Sequence, residues 1–259
     1  MPATSDLSKL SVRQFAERFR AEMIPLSNTF SYFCASVPMT EEDLKEYLQE
    51  PVAALPPAIA ARLPKVSILL VPYLERSNGR DRARTKGAAG DFISIEKPPE
   101  GRTATSTHLR LGDETVLVFA LKDQEVAEYH YRFYHLLASL MGENWTDEVE
   151  TAYSRLLREE LTGEVHGEVD EPSWRLKQAL RRNAGGRGGI RSGKAFRDYA
   201  RQSFIDTLTL YLHGICCDID VDTGPRQLPS RYLRRRLLAI EELFPAPKGY
   251  AVFPEQLEP

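Results

Sequence analysis

"VLVFALKDQEVAEYHYRFYHLLASLM", residues 116–141, changes its period part-way through, and that change decides the fold. Val116 to Leu121 is a short run of β-forming residues that faces His108 to Leu111 across "GDE", the pattern of a hairpin. Beyond Lys122 the repeat becomes helical. Val126, Phe133, Leu137 and Leu140 fall on one stripe of a helix over Asp123 to Met141.

Outward from this junction the two directions differ. Upstream, "VSILLV" (Val66 to Val71) is a continuous apolar run, as expected of a strand buried on both faces. Phe30 to Val37 and Phe92 to Glu96 read as further strands. Ser11 and Gln14 form a capping-box pattern ahead of Val12, Phe15, Phe19 and Met23, which predicts an amphipathic first helix. Thr40 to Gln49 predicts a short helix that Pro51 ends. Downstream, helices are expected over Thr146 to Leu161, Pro172 to Arg182, Lys194 to Gly214 and Ser230 to Phe244. Thr146 and Ser230 suit N-caps, Gly163 a C-cap and Pro172 a first helical position.

Strands first and helices after argue for an α+β fold rather than alternating βαβ units. The expectation is one globular domain over 1–259: a small mixed β-sheet in the sheet-bearing half, 1–122, packed against a predominantly helical half, 123–259. Composition agrees, with 42% hydrophobic and 27% charged residues. The opening residues lack the apolar core of a secretion signal, and no apolar run is long enough for a bilayer. Three cysteines, two of them adjacent, make no disulfide framework. A soluble, cytoplasmic protein without membrane attachment is therefore expected.

Charge is segregated more strongly than the net value of −3 suggests. Three stretches (76–86, 175–201 and 226–236) hold 19 of the 34 basic residues and 2 of the 37 acidic ones. Their net charge is +17, which leaves −20 for the remainder. Such stretches attract phosphate-bearing partners, and arginine grips phosphate or carboxylate in a fork. They also arise as solvated faces or as partners of the acidic segments within the fold. If they act together, Arg187, Arg191, Lys194, Arg231, Arg234 and Arg235 are the candidate contacts for an anionic ligand or nucleic acid.

Other motifs fail at a diagnostic position. Gly188, Gly193 and Lys194 have the spacing of a phosphate-cradling loop, but Ala195 replaces the hydroxyl that would hold magnesium. A helical pattern, not a strand, precedes it, so no nucleotide cofactor motif is present. Asp218, Asp220 and Asp222 occupy the first ligand positions of a calcium loop, with Thr223 and Pro229 where glycine and glutamate belong. They are candidate ligands for a divalent cation, or else an acidic turn offset by Arg226 and Arg231. His130 and His135 are about 140° apart on their helix, which suits a core histidine and a surface one. Gln202, Asp206, Thr209 and His213 share one side of their helix, either a solvated stripe or a general-base arrangement around Asp206 and His213. "EVHGEVDE" (Glu164 to Glu171) gathers four carboxylates around His166.

The leading expectation is a binding or interaction module with an arginine-rich surface for an anionic or phosphate-bearing partner. The alternatives are a metal-assisted hydrolase built on His166, Asp206, His213 and the aspartate cluster, or an inert scaffold.

Overall fold

The structure, a computed structural model, describes residues 10–76, 91–183, 193–217 and 226–256. The fold is α+β, with a five-stranded mixed sheet in the N-terminal half and helices in the C-terminal half. By contact the chain divides into two compact units, Met1–Val52 with Leu63–Arg132, and Ala53–Arg62 with Phe133–Pro259. Among the described residues, no helix is long and apolar enough to cross a membrane.

The first unit is built on β1 (Ile24–Pro25), β2 (Phe30–Cys34), β3 (Lys65–Val71), β7 (Ser106–Leu111) and β8 (Glu114–Ala120), in the order β1-β2-β3-β8-β7. β3 is the apolar run "VSILLV", and it lies between two parallel neighbours, β2 and β8. Every residue from Val66 to Val71 is buried, as a strand covered on both faces requires. β7 and β8 form the expected hairpin, closed between Leu111 and Glu114 by Gly112 at φ +63°. A smaller sheet contains β4 (Tyr73–Glu75), β5 (Phe92–Ser94) and β6 (Thr103–Ala104).

Helix α1 (Val12–Phe19) starts at the Ser11–Gln14 capping box. It sends Phe15 and Phe19 into a cluster with Leu69, Val71, Val116, Val118 and Ala120, one face of the central strands. The helix expected to stop at Pro51 runs on. α2 (Glu41–Leu44) passes through a π-helical turn at Lys45–Gln49 into α3 (Glu50–Ala53), with Pro51 inside it. The Glu50 N–H bonds the Lys45 carbonyl five residues back. That wide register gives the proline ring room.

The second unit is helical: α4 (Pro57–Ala60), most of α5 (Val126–Glu143), α6 (Asp147–Thr162), α7 (Glu171–Asn183), α8 (Lys194–Cys216) and α9 (Ser230–Leu243). Thr146 caps α6 as expected. Ser230 is the first residue of α9 rather than its cap, and Pro229 precedes it. α8 is the hub, packing against α6, α7 and α9. All residues from Ser203 to Thr209 are buried, so α8 has no solvent side along that stretch. Gly142 of α5 permits close approach: a Cβ there would stand 2.6 Å from Ile205 Cγ1 of α8.

Candidate functional site

Two helices of the second unit carry a charged residue on an apolar stripe, and a third buries a lysine. On α6 the buried set is Val149, Tyr153, Ser154, Leu156, Leu157 and Glu160. On α9 it is Leu233, Arg236, Leu237 and Ile240. On α7, Ser173, Lys177 and Leu180 are buried. Helical spacing aims these charges inward, where an unpaired ion is costly.

They meet there. Arg236 has no exposed surface, and its three nitrogens fork between two carboxylates. Nε and NH2 donate to Glu160 Oε2 at 3.1 and 2.6 Å. NH1 and NH2 donate to Glu168 Oε2 and Oε1 at 2.6 and 3.0 Å. NH1 also donates to Ser203 Oγ at 2.8 Å. Lys177 Nζ lies 2.9 Å from Glu168 and donates to the Gly167 carbonyl at 2.7 Å. Tyr199 donates to Glu168 at 2.5 Å. Two cations thus face two carboxylates, and the cluster is neutral in sum.

The titration of these groups follows from the packing. Burial alone would raise the Glu168 carboxyl, but Arg236 and Lys177 beside it overcome that and hold it at about 2. Burial lowers the Lys177 ammonium despite Glu168. Burial also works against the Arg236 charge, yet Glu168 beside it keeps its proton affinity well above the ordinary arginine value.

Backbone geometry places Glu168. Its N–H donates to the Arg226 carbonyl and its carbonyl accepts from the Leu228 N–H, both at 3.0 Å. Gly167, at φ +80°, allows this approach, since a Cβ would stand 2.1 Å from the Gln227 carbonyl oxygen. Glu168 therefore ties the segment holding Arg226 to the buried cluster, while Lys177 ties α7 to it.

The opposite face of α7 is open. Glu171, Trp174, Arg175, Gln178 and Arg182, at helical spacing, line a groove of about 540 Å³ together with Arg226. Arg175 Nε and Arg226 NH1 lie 2.9 and 3.5 Å from the two oxygens of Glu171. Arg182 Nε donates to the Gln178 carbonyl at 3.3 Å. Trp174 meets the exposed His166 ring edge-on at 5.1 Å. Three guanidinium groups against one carboxylate leave the lining net positive.

Of the six cations singled out from sequence, the four among the described residues lie elsewhere. Arg234 pairs with Glu255 and stands 4.2 Å above the Phe253 ring, and Arg235 pairs with Glu159. Arg231 sits 4.6 Å over the Tyr232 ring. Lys194 is exposed as the first residue of α8. None of these four lines the groove. Arg187, Arg191, Asp218, Asp220 and Asp222 lie outside the described residues.

The polar side of α8 is buried, neither solvated nor open. Asp206, 2% exposed, accepts from the Ser173 N–H at 3.2 Å and from Gln202 Nε2 at 2.8 Å. Burial, with Asp170 nearby, pushes its carboxyl up to about 6. His213 is buried 6.3 Å from the Tyr134 ring. Asp206, His213 and His166 thus have separate surroundings, with Asp206 and His213 about two turns apart on one helix. His130 is the buried histidine expected, with Nε2 2.9 Å from the Glu46 carbonyl. His135 is half-buried, its Nδ1 3.5 Å from Thr209 Oγ1.

Comparison of the chain with protein-family models, with curated proteins and with solved structures gives no match.

Proposed function

We propose that the protein is a binding module for an anionic, phosphate-bearing ligand, taken in the groove on the outer face of α7. One observation carries this reading: arginines from two separate basic stretches, Arg175 and Arg182 from one and Arg226 from the other, line the same groove. Guanidinium forks suit phosphate oxygens, and the net positive lining attracts them. Glu171 holds Arg175 and Arg226 side by side, and an incoming phosphate competes for the same donors.

The test is calorimetric titration with inorganic pyrophosphate at low salt. Binding should weaken steeply with added salt and fall about tenfold or more in an Arg182→Ala/Arg226→Ala protein, the equivalent of at least one charge-assisted hydrogen bond. Absence of pyrophosphate and heparin binding at low ionic strength would remove the proposal.

A further inference from the structure

We infer that the groove selects a phosphate that carries a planar ring, as a nucleotide does. This rests on the reading of the groove as a phosphate site and adds the ligand's other half.

Trp174 sits among the arginines rather than beyond them. It is adjacent to Arg175, one turn before Gln178 and two turns before Arg182, and all four line the groove. Trp174 and Gln178 give the ligand two chemistries that phosphate alone does not use. The indole offers an aromatic surface for a flat ring, and base–aromatic stacking tolerates any base because each has a π-face. The Gln178 amide offers a donor and an acceptor on one side chain, which match the paired groups on a base edge. Trp174 lies at the same end of this row as Arg175 and Arg226, which meet at Glu171, so a ring over the indole has these two guanidinium groups as its phosphate partners.

The helix explains why the aromatic is held in place. Lys177, one turn beyond Trp174 on the buried side of α7, is locked to Glu168 and the Gly167 carbonyl. Glu168 in turn fixes the 226–228 backbone. Both walls are therefore set by one buried cluster, which lowers the ordering cost of taking a ligand.

The experiment compares ribose 5-phosphate with adenosine monophosphate, which share the phosphate and differ in the ring. It uses fluorescence of a Trp145→Phe protein in which Trp174 is the sole indole, with calorimetry on the native chain. The nucleotide should bind about 5- to 150-fold more tightly, the range that one stacked base contributes, and should quench Trp174. Trp174→Ala should abolish that preference while ribose 5-phosphate still binds, and Trp174→Phe should keep part of it. Equal affinity for the two ligands in the native protein would overturn the ring inference and leave the phosphate reading standing. Binding of neither would overturn both. A six-nucleotide adenosine strand separates the sources: tighter binding per site than the monophosphate identifies a strand, and equal binding identifies the free nucleotide.

Discussion

The two faces of α7 hold the same kind of charge in opposite settings. Inward, Lys177 has no exposed surface and is bound to Glu168, Gly167 and, through them, Arg236. Outward, Arg175 pairs with Glu171 in open solvent. Exposed pairs contribute about 0–1 kcal/mol, whereas breaking a buried pair costs about 3–5 kcal/mol because it strands the partner. The comparison teaches that a basic run in sequence is not one physical object. Arg234, Arg235 and Arg236 are consecutive, yet two belong to the surface and one to the core.

The largest effect should come from breaking the inner face. Arg236→Ala leaves Glu160 and Glu168 buried without their shared cation, and urea unfolding should show a loss of roughly 3–5 kcal/mol. Replacing Arg236, Lys177, Glu160 and Glu168 together by Met, Met, Leu and Leu should recover much of it, because all four buried charges then leave as a set. A single variant as stable as the native protein would show that the cluster does not hold the helical core together.

Gly167→Ala comes next. It places a Cβ against the 227 backbone at a left-handed φ, for an expected loss of roughly 2–4 kcal/mol by the same measurement.

Two buried carboxylates then give opposite pH signatures. Glu168, held at about 2 against an ordinary 4.5, contributes stability present above 4.5 that is lost as pH falls toward 2. Asp206, raised to about 6 from 3.8, contributes stability present below 3.8 that is lost as pH rises through 6. Asp206→Asn removes the charge that burial disfavours, at the expense of one of the two acceptor oxygens facing the Ser173 N–H and the Gln202 amide, and should flatten the profile between pH 4 and 6. Thermal denaturation across pH checks both signs, and an unchanged profile in the variant would remove the Asp206 assignment.

The smallest effect belongs to the outer face. Arg175→Ala should change stability by less than about 1 kcal/mol while weakening pyrophosphate binding, which separates the two faces by what each is for.

Much of the fold was legible because its signals are local. "VSILLV", the Gly112 turn, the Ser11–Gln14 box and five helical periods each lie within one short window. Pro51 was misleading, since only the π-helical turn before it lets the helix continue. The buried cluster was legible only in part. Glu160 and Arg236 each sit on an apolar stripe, a signal available in the sequence, whereas Lys177 lies between Ser173 and Leu180 in a basic run that has no such pattern. Glu168 gave no such sign, because its partner lies 68 residues away and its position depends on Gly167 meeting a distant backbone. The burial of the polar side of α8 was not legible for a similar reason. A helix surrounded by others buries every face, and one sequence window does not contain its neighbours. The groove needed Arg175 and Arg226 to be brought together by the fold, so the basic stretches suggested a chemistry without indicating the surface that would carry it.

The assignment of Ala53–Arg62 to the helical unit has a consequence for genetic dissection. In that segment Ile59 is fully buried, and the Arg62 guanidinium stands 5.3 Å over the ring of Phe244 near the far end of the chain. The helical unit is thus encoded in two places, and no single stop or start codon isolates it. A polypeptide beginning at residue 133 lacks a piece of its own interior. It should gain stability when a peptide spanning 53–62 is supplied separately, and that rescue would make the short segment a fragment-complementation partner rather than a linker.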